Sequence, residues 1–418
     1  MSPIIAAIDI HKKVIMVART SATVEVENAY ESIKFECRRF GTGNAERERL
    51  IRWLQDRSVA EIVMESTAQY WKPIWLDLEP HFAKLHLAQA HSNRAPKGRK
   101  NDFRDAKRLA RRLLAGELML SFVPGPEQRT WRTLTRSKQQ LIRDRVRLQN
   151  QLESLLEEMR IKLSSIISDL FGLSGRRILQ ALSKGETDPV KLAQLGDDRL
   201  KCSRQELADA LRGSPTATQL AVLKMGLERL EVFDRQIQDL EQLLALDLKK
   251  HEDAVIRVAE IPGFGANSAQ QIIAEIGVDV ATFPSAGEFS SWTGICPGSN
   301  VTADENKGSR SPKGNRFVRT ILTQAAQAAV RKKGCHFQSV FRRLLPKLGY
   351  NGAIWAIAHK LGRLVWKILR HGVHYIEQGD ETNPKAKKRR AQKLAQALRK
   401  LGYSVTLTPL TPQSQAEG

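Results

Sequence analysis

Residues 4–20 read IIAAIDIHKKVIMVART, and this stretch decides the fold. In 4–10 both alternate sets of positions are apolar, as in a strand buried on two faces. Only His11 and Lys12 separate it from a second strand-like run, 13–20. So short a connection makes the two antiparallel. A third run at 33–40 (IKFECRRF) extends the meander. Leu50, Ile51 and Leu54 then give helical spacing over 45–57. A strand at 61–65 (EIVME), a helix at 71–78 and a strand at 84–90 (KLHLAQA) follow. Three strands followed by alternating helix and strand predict an α/β domain, a mixed sheet with helices on its faces.

The acids of this region are informatively placed. Asp9 is near the end of the first strand and Glu65 ends the fourth. Beyond them, 97–114 reads KGRKNDFRDAKRLARRLL. At 100° per residue, Asp102, Leu109 and Leu113 fall within roughly 20° of one direction, with Ala106 beside them and Asp105 at the border. A helix starting at Asp102 therefore carries two acids along its core-facing stripe. Arg104, Lys107, Arg108, Arg111 and Arg112 spread over the other side. Buried acids without partners are costly, and sites in open sheets gather beyond strand ends. Asp9, Glu65, Asp102 and Asp105 are thus expected to converge. Four carboxylates without a histidine cluster suit a hard, oxygen-preferring ion, Mg²⁺. Two such ions about 4 Å apart can stabilise both the attacking and leaving oxygens of a phosphoryl transfer.

Composition points to the partner. The 418 residues allow two or three domains. A formal net charge of +22 calls for a polyanion, most simply nucleic acid. The basic loop at 91–101 (HSNRAPKGRKN) leads into the acidic site and is suited to steering phosphate. Cys37, Cys202, Cys296 and Cys335 show no paired spacing, which argues against a disulfide framework or zinc site and fits a reducing cytoplasm. Nothing approaches a membrane span.

The rest of the chain reads as helices. Residues 127–159 carry Leu134, Leu141, Leu148 and Leu155 seven apart, and 216–248 carry Leu223, Leu230, Ile237 and Leu244 likewise. Such spacing suggests coiled-coil packing, as a hairpin within one chain or between two chains. Residues 261–277 (IPGFGANSAQQIIAEIG) resemble a helix-hairpin-helix, whose turn amides can approach phosphate. A polar, glycine-rich loop follows Trp292, too long for a mere connector. It ends in Lys307, Arg310, Lys313, Arg316 and Arg319 and enters a helix. The tail carries eight basic residues between 385 and 400.

These motifs together resemble the transposases of the insertion-sequence-110 family, including bridge recombinases and Piv-type invertases. The segments that carry the resemblance are IDIHK, VMESTAQYW, KNDFRDAKRLARRL, IPGFGANSAQQIIAEIG and SWTGICPGSNVTADENKGSRSPKGNRFVR. It implies a RuvC-like, ribonuclease-H-like domain over 1–118 with Asp9, Glu65, Asp102 and Asp105 as its acidic tetrad. A helical coiled-coil linker over 119–250, a mostly α transposase domain over 251–380 and a basic tail over 381–418 would follow. The family's nucleophilic serine falls on Thr302 here, and Ala-Asp-Glu follows it in place of Ala-Gly-Lys. Thr keeps the hydroxyl but restricts χ1. The implied activity is Mg²⁺-dependent cutting and rejoining of DNA, guided by a noncoding RNA, in a dimer or tetramer. A RuvC-like nuclease that hydrolyses with water, or a relict that only binds nucleic acid, are the competing expectations.

Overall fold

The computed structural model describes residues 4–20, 33–66, 68–90, 103–296, 301–302, 305–306 and 311–377, with a few positions between 392 and 407. Asp102, the basic loop at 91–101 and most of the basic tail lie outside the described residues. The chain divides into two compact units, Met1–Pro124 and Gly125–Gly418.

The first unit is the mixed sheet expected from the sequence. Its strands are β1 (Ile5–Ile10), β2 (Val14–Thr20), β3 (Glu36–Gly41), β4 (Glu61–Glu65) and β5 (Lys84–Ala88), in the spatial order β3-β2-β1-β4-β5. β2 is antiparallel to both β1 and β3, whereas β4 runs parallel to β1 and β5 parallel to β4. Every residue of β1 is buried, so the continuous apolar run takes the sheet centre. β3 lies at the edge, where exposed Arg38 and Arg39 discourage pairing with another chain.

The strand period of two splits the core by face. Ala6, Ile8 and Ile10 pack with α1 (Asn44–Gln55) and α2 (Trp71–Leu78) through Leu50, Trp53, Leu54, Ile74 and Leu78. Ile5, Ala7, Val63 and Ala88 pack on the other face against Leu109 and Ala110 of α3 (Arg104–Leu114). α3 thus begins two residues after the expected start. Its buried stripe is Ala106, Leu109 and Ala110, and Leu113 is only partly covered.

The second unit is helical. α4 (Pro126–Glu158) is followed by α5 (Leu163–Ile166), α6 (Leu173–Ser183), α7 (Pro189–Gln194) and α8 (Arg204–Ala210), and then by α9 (Ala217–Asp247). α4 and α9 form an antiparallel hairpin within the chain. Lys138 meets Glu241 at 3.1 Å and Arg145 meets Asp234 at 2.8 Å. Leu152 lies so close to Gly226 that a Cβ there would come within 2.4 Å of it.

On α9 the expected Leu223, Leu230, Ile237 and Leu244 are all buried. On α4 the expected phase is wrong, because only Leu148 of its predicted leucine row is buried. The facing row is Trp131, Lys138, Arg145, Leu152 and Met159, two of whose members are cations neutralised by α9. Reading apolar residues alone could not find a seam that carries charge.

α10 (Glu252–Ala259), α11 (Ala266–Ile276), α12 (Ala286–Thr293), α13 (Arg316–Ala329) and α14 (His336–His371) complete the unit around one core. α14 breaks its helical path at Gly349. The turn between α10 and α11 is buried through Ile261, Pro262 and Phe264. Gly263 there has φ +91°, and a Cβ on it would lie 2.0 Å from the Ala325 carbonyl oxygen. That glycine is needed for backbone-to-backbone packing on α13. No helix among the described residues is long and apolar enough to cross a membrane.

Candidate active site

Period-two alternation places the acids of the first unit. Asp9 shares its face with Ile5 and Ala7, and Glu65 shares the same face with Val63, which is the face α3 covers. The parallel register pairs Ile8 with Met64, so the next residues along, Asp9 and Glu65, lie side by side at the ends of β1 and β4. Asp105 sits in the first turn of α3, immediately before the buried Ala106.

Arg108 joins two of these acids. Its Nη2 lies 3.4 Å from Asp105 Oδ1 and 3.9 Å from Glu65 Oε2. Residues three apart are neighbours on a helix surface, and the long arginine side chain bends back over the acidic turn. The expectation that this cation points away is therefore corrected. His11 Nε2 stands 3.1 Å from Asp9 Oδ2.

Asp9 is only 8% exposed. Burial pushes its carboxyl above the ordinary aspartate range, and the Asp105 charge acts in the same direction. His11 and Arg108 oppose them. Among the described residues, no group of three or more His, Cys, Asp or Glu is placed to hold a metal ion. The structure puts Glu65 and Asp105 beside one guanidinium and Asp9 within reach of its charge and that of Asp105, and Asp102 is outside the described residues. In chemistry, though not as a group of three among the described residues, these all-oxygen side chains are the kind that hold a hard cation.

In the second unit, the long loop hangs from a glycine neck. Gly294 has φ +70°, and a Cβ on it would lie 2.7 Å from the Pro312 carbonyl oxygen. A Cβ on Gly314 would meet the Thr293 carbonyl carbon at 2.2 Å. Only glycines let the two ends of the loop cross this closely. Within the loop, Val301–Thr302 pairs with Glu305–Asn306 in a two-residue antiparallel ladder, so Thr302 stands opposite Glu305.

Past the neck, the Asn315 side chain caps α13 by accepting from the Phe317 and Val318 amides. Its Nδ2 donates to Glu275 Oε2 at 2.9 Å. Glu275 is 1% exposed and receives both the Nε and Nη2 of Arg136, at 2.8 and 2.9 Å. Arg132 approaches the same carboxylate at 3.6 Å and donates to the Glu275 backbone carbonyl. Burial lowers the Arg132 guanidinium to about 10, against the pull of Glu275, so it remains charged at neutral pH. Neither Arg108 nor Glu275 stood out in the sequence. Arg108 was one of many cations, and Glu275 lies inside α11, 139 and 143 residues from its arginine partners.

A family model described as "Transposase", of the IS110 DEDD type, matches residues 6–161. A second, described as "Transposase IS116/IS110/IS902 family", matches 256–342. The chain is 26% identical over 321 residues to a "Probable family 20 transposase" of Pseudomonas aeruginosa, covering 75% of this chain and 85% of that one. It is 25% identical over 336 residues to the "Transposase for insertion sequence element IS1111A" of Coxiella burnetii, covering 78% and 82%. The sheet with its gathered acids falls in the first matched region, and the glycine-necked loop in the second. The chain belongs to the IS110 family of transposases.

Proposed function

We propose that this protein cuts and rejoins DNA strands to move an insertion sequence, and that its first unit is a ribonuclease-H-like nuclease core. The observation that carries the reading is the placement of Asp9 and Glu65 side by side at the ends of two adjacent parallel strands, with Arg108 of α3 reaching both Glu65 and Asp105. Strand order β3-β2-β1-β4-β5, with β2 alone antiparallel to its neighbours, supports the fold reading. Asp9, Glu65, Asp105 and Asp102 would hold Mg²⁺, which supplies charge neutralisation at the phosphate undergoing transfer.

The chain's own residues divide the remaining work. The buried Asp9 fixes one edge of the site, and Arg108 balances the acids until the cation and DNA arrive. Thr302 takes the nucleophile's part. Its hydroxyl loses a proton, its oxygen bonds to phosphorus, and one P–O ester bond of the strand breaks. The departing strand oxygen takes up a proton. Attack by a second strand's hydroxyl on the threonyl phosphate reverses these changes and frees Thr302. The charge of +22 supplies phosphate affinity. The family resemblance adds a guide RNA and a dimer or tetramer.

Trapping adducts on end-labelled DNA with Mg²⁺ present, then mapping the attached peptide, tests the reading. A peptide containing Thr302 is expected. Cleavage without any adduct would return the case to hydrolysis by water, which Glu305 opposite Thr302 would favour by repelling an incoming phosphate. Binding without cleavage would leave a nucleic-acid-binding relict.

A further inference from the structure

We propose that the cavity between the outgoing end of the loop and α14 is a nucleotide subsite for single-stranded DNA, a proposal that rests on the DNA strand-transfer reading above. The base stacks on the Arg319–Trp355 pair, and Lys313 holds the adjoining phosphate. The cavity has a volume of about 870 Å³ and is lined by Ser311, Lys313, Arg319, Asn351, Gly352 and Trp355.

Its aromatic wall is held in place. Trp355 Nε1 donates to Ser311 Oγ at 3.0 Å, which fixes the ring edge. The Arg319 guanidinium carbon lies over the ring, 4.9 Å from its centroid. Arg319 Nη1 also donates to the Pro312 carbonyl at 3.4 Å. An indole and a guanidinium fastened in this way form a flat, cationic platform. Lys313 is exposed at the rim. No acidic residue lines the cavity among the described residues, so the described lining is basic and suits an anion.

Charge alone would suit any anion, but the platform selects one that also carries a planar ring. A base inside a duplex has both faces covered by its neighbours, so only an unstacked nucleotide can reach Trp355. Strand transfer creates such nucleotides beside each break. The subsite is also near the proposed chemistry in the chain, since Ser311 follows Thr302 by nine residues. A nucleotide anchored here would keep a cut strand from diffusing away before it is rejoined.

The test measures binding of the full chain to a short fluorescent single strand, to the same sequence as duplex DNA, and to the matching RNA, across a salt series. Trp355→Leu is expected to weaken single-strand binding about tenfold, and Trp355→Phe by less than about threefold because a ring remains. Duplex affinity should change less than about twofold for both. Lys313→Gln with Arg319→Gln should weaken single-strand binding and flatten its salt dependence by about one to two units of slope, since each cation removed frees one phosphate from neutralisation. This surface pair decides the matter if Trp355→Leu fails to fold. Equal losses on single strand and duplex, no loss from the double variant, or a loss confined to RNA would each overturn the proposal. Binding needs no cleavage, so the two readings separate. An inactive protein with Trp355-dependent single-strand preference keeps the subsite and loses strand transfer. A cleaving protein indifferent to Trp355 does the reverse.

Discussion

The Arg108 guanidinium stands 3.9 Å from the Glu65 carboxylate and 3.4 Å from that of Asp105, bridging strand end and helix start. A side chain so placed supplies the charge that a divalent ion would bring. The two should therefore compete.

Arg108→Gln is expected to tighten Mg²⁺ or Mn²⁺ binding by about tenfold, on the order of a single charge–charge interaction near a surface. It should also lower the melting temperature when no divalent ion is present. Titration with Mn²⁺ followed by electron paramagnetic resonance reads the first effect. Unchanged or weaker ion binding would show that Arg108 does not compete.

Asp9→Asn should raise the melting temperature at neutral pH in the absence of divalent ions. Its carboxyl is held above the ordinary aspartate range, chiefly by burial, so the folded state binds the proton more tightly than the unfolded one. Stability then falls as pH rises from the ordinary value through the raised one. The variant escapes that fall, and its advantage should vanish as pH drops towards about 3.9, the ordinary aspartate value. It should also lose stabilisation by Mg²⁺. Thermal melts over a pH series check both outcomes.

Asp234 behaves in the opposite sense. Burial alone would raise its carboxyl, but hydrogen bonds from Arg176 and Arg145 hold it below the usual range. It therefore contributes stability above the ordinary aspartate value and loses it as pH falls through the depressed one. Asp234→Asn should destabilise the protein at about pH 7 and match the wild type once the pH lies below the depressed value, as read by urea unfolding.

Glu275→Gln leaves Arg132 and Arg136 facing a neutral amide in a buried site. A loss of about 2–3 kcal/mol is expected, reduced from the usual cost of a broken buried pair because Arg136 is partly exposed. Asn315→Ala should lose about 1 kcal/mol through its cap. Guanidinium unfolding of the full chain distinguishes the two.

Thr302→Ser should retain or raise adduct formation, because it removes a methyl group and keeps the hydroxyl. Thr302→Ala should abolish the adduct and leave DNA affinity unchanged. Replacing Asp304 by Gly together with Glu305 by Lys should speed the reaction by relieving repulsion of the phosphate. Single-turnover assays on labelled DNA measure all three.

The sheet was legible in residues 4–20 and 61–65 because period and burial agree there, and they place Asp9 and Glu65 on one face. Arg108 was not legible. A helical wheel locates its Cα on the far side, while the length of the side chain decides where its charge goes. The α4 row failed for a related reason, since Lys138 and Arg145 occupy facing positions that pattern reading assigns to apolar residues. Trp355 carried no signal in the sequence, because its partner Ser311 comes from a different segment. Pairings of that kind depend on packing and leave no local period.

The crossing of Gly294 and Gly314 has a meaning for descent as well as for folding. A segment whose ends are held by backbone packing can change in length and content with little effect on the helices that carry it, because closure entropy grows slowly with loop size. The residues between the two glycines form an exchangeable cassette. Chemistry can be gained, lost or retuned there while the remainder of the protein folds as before.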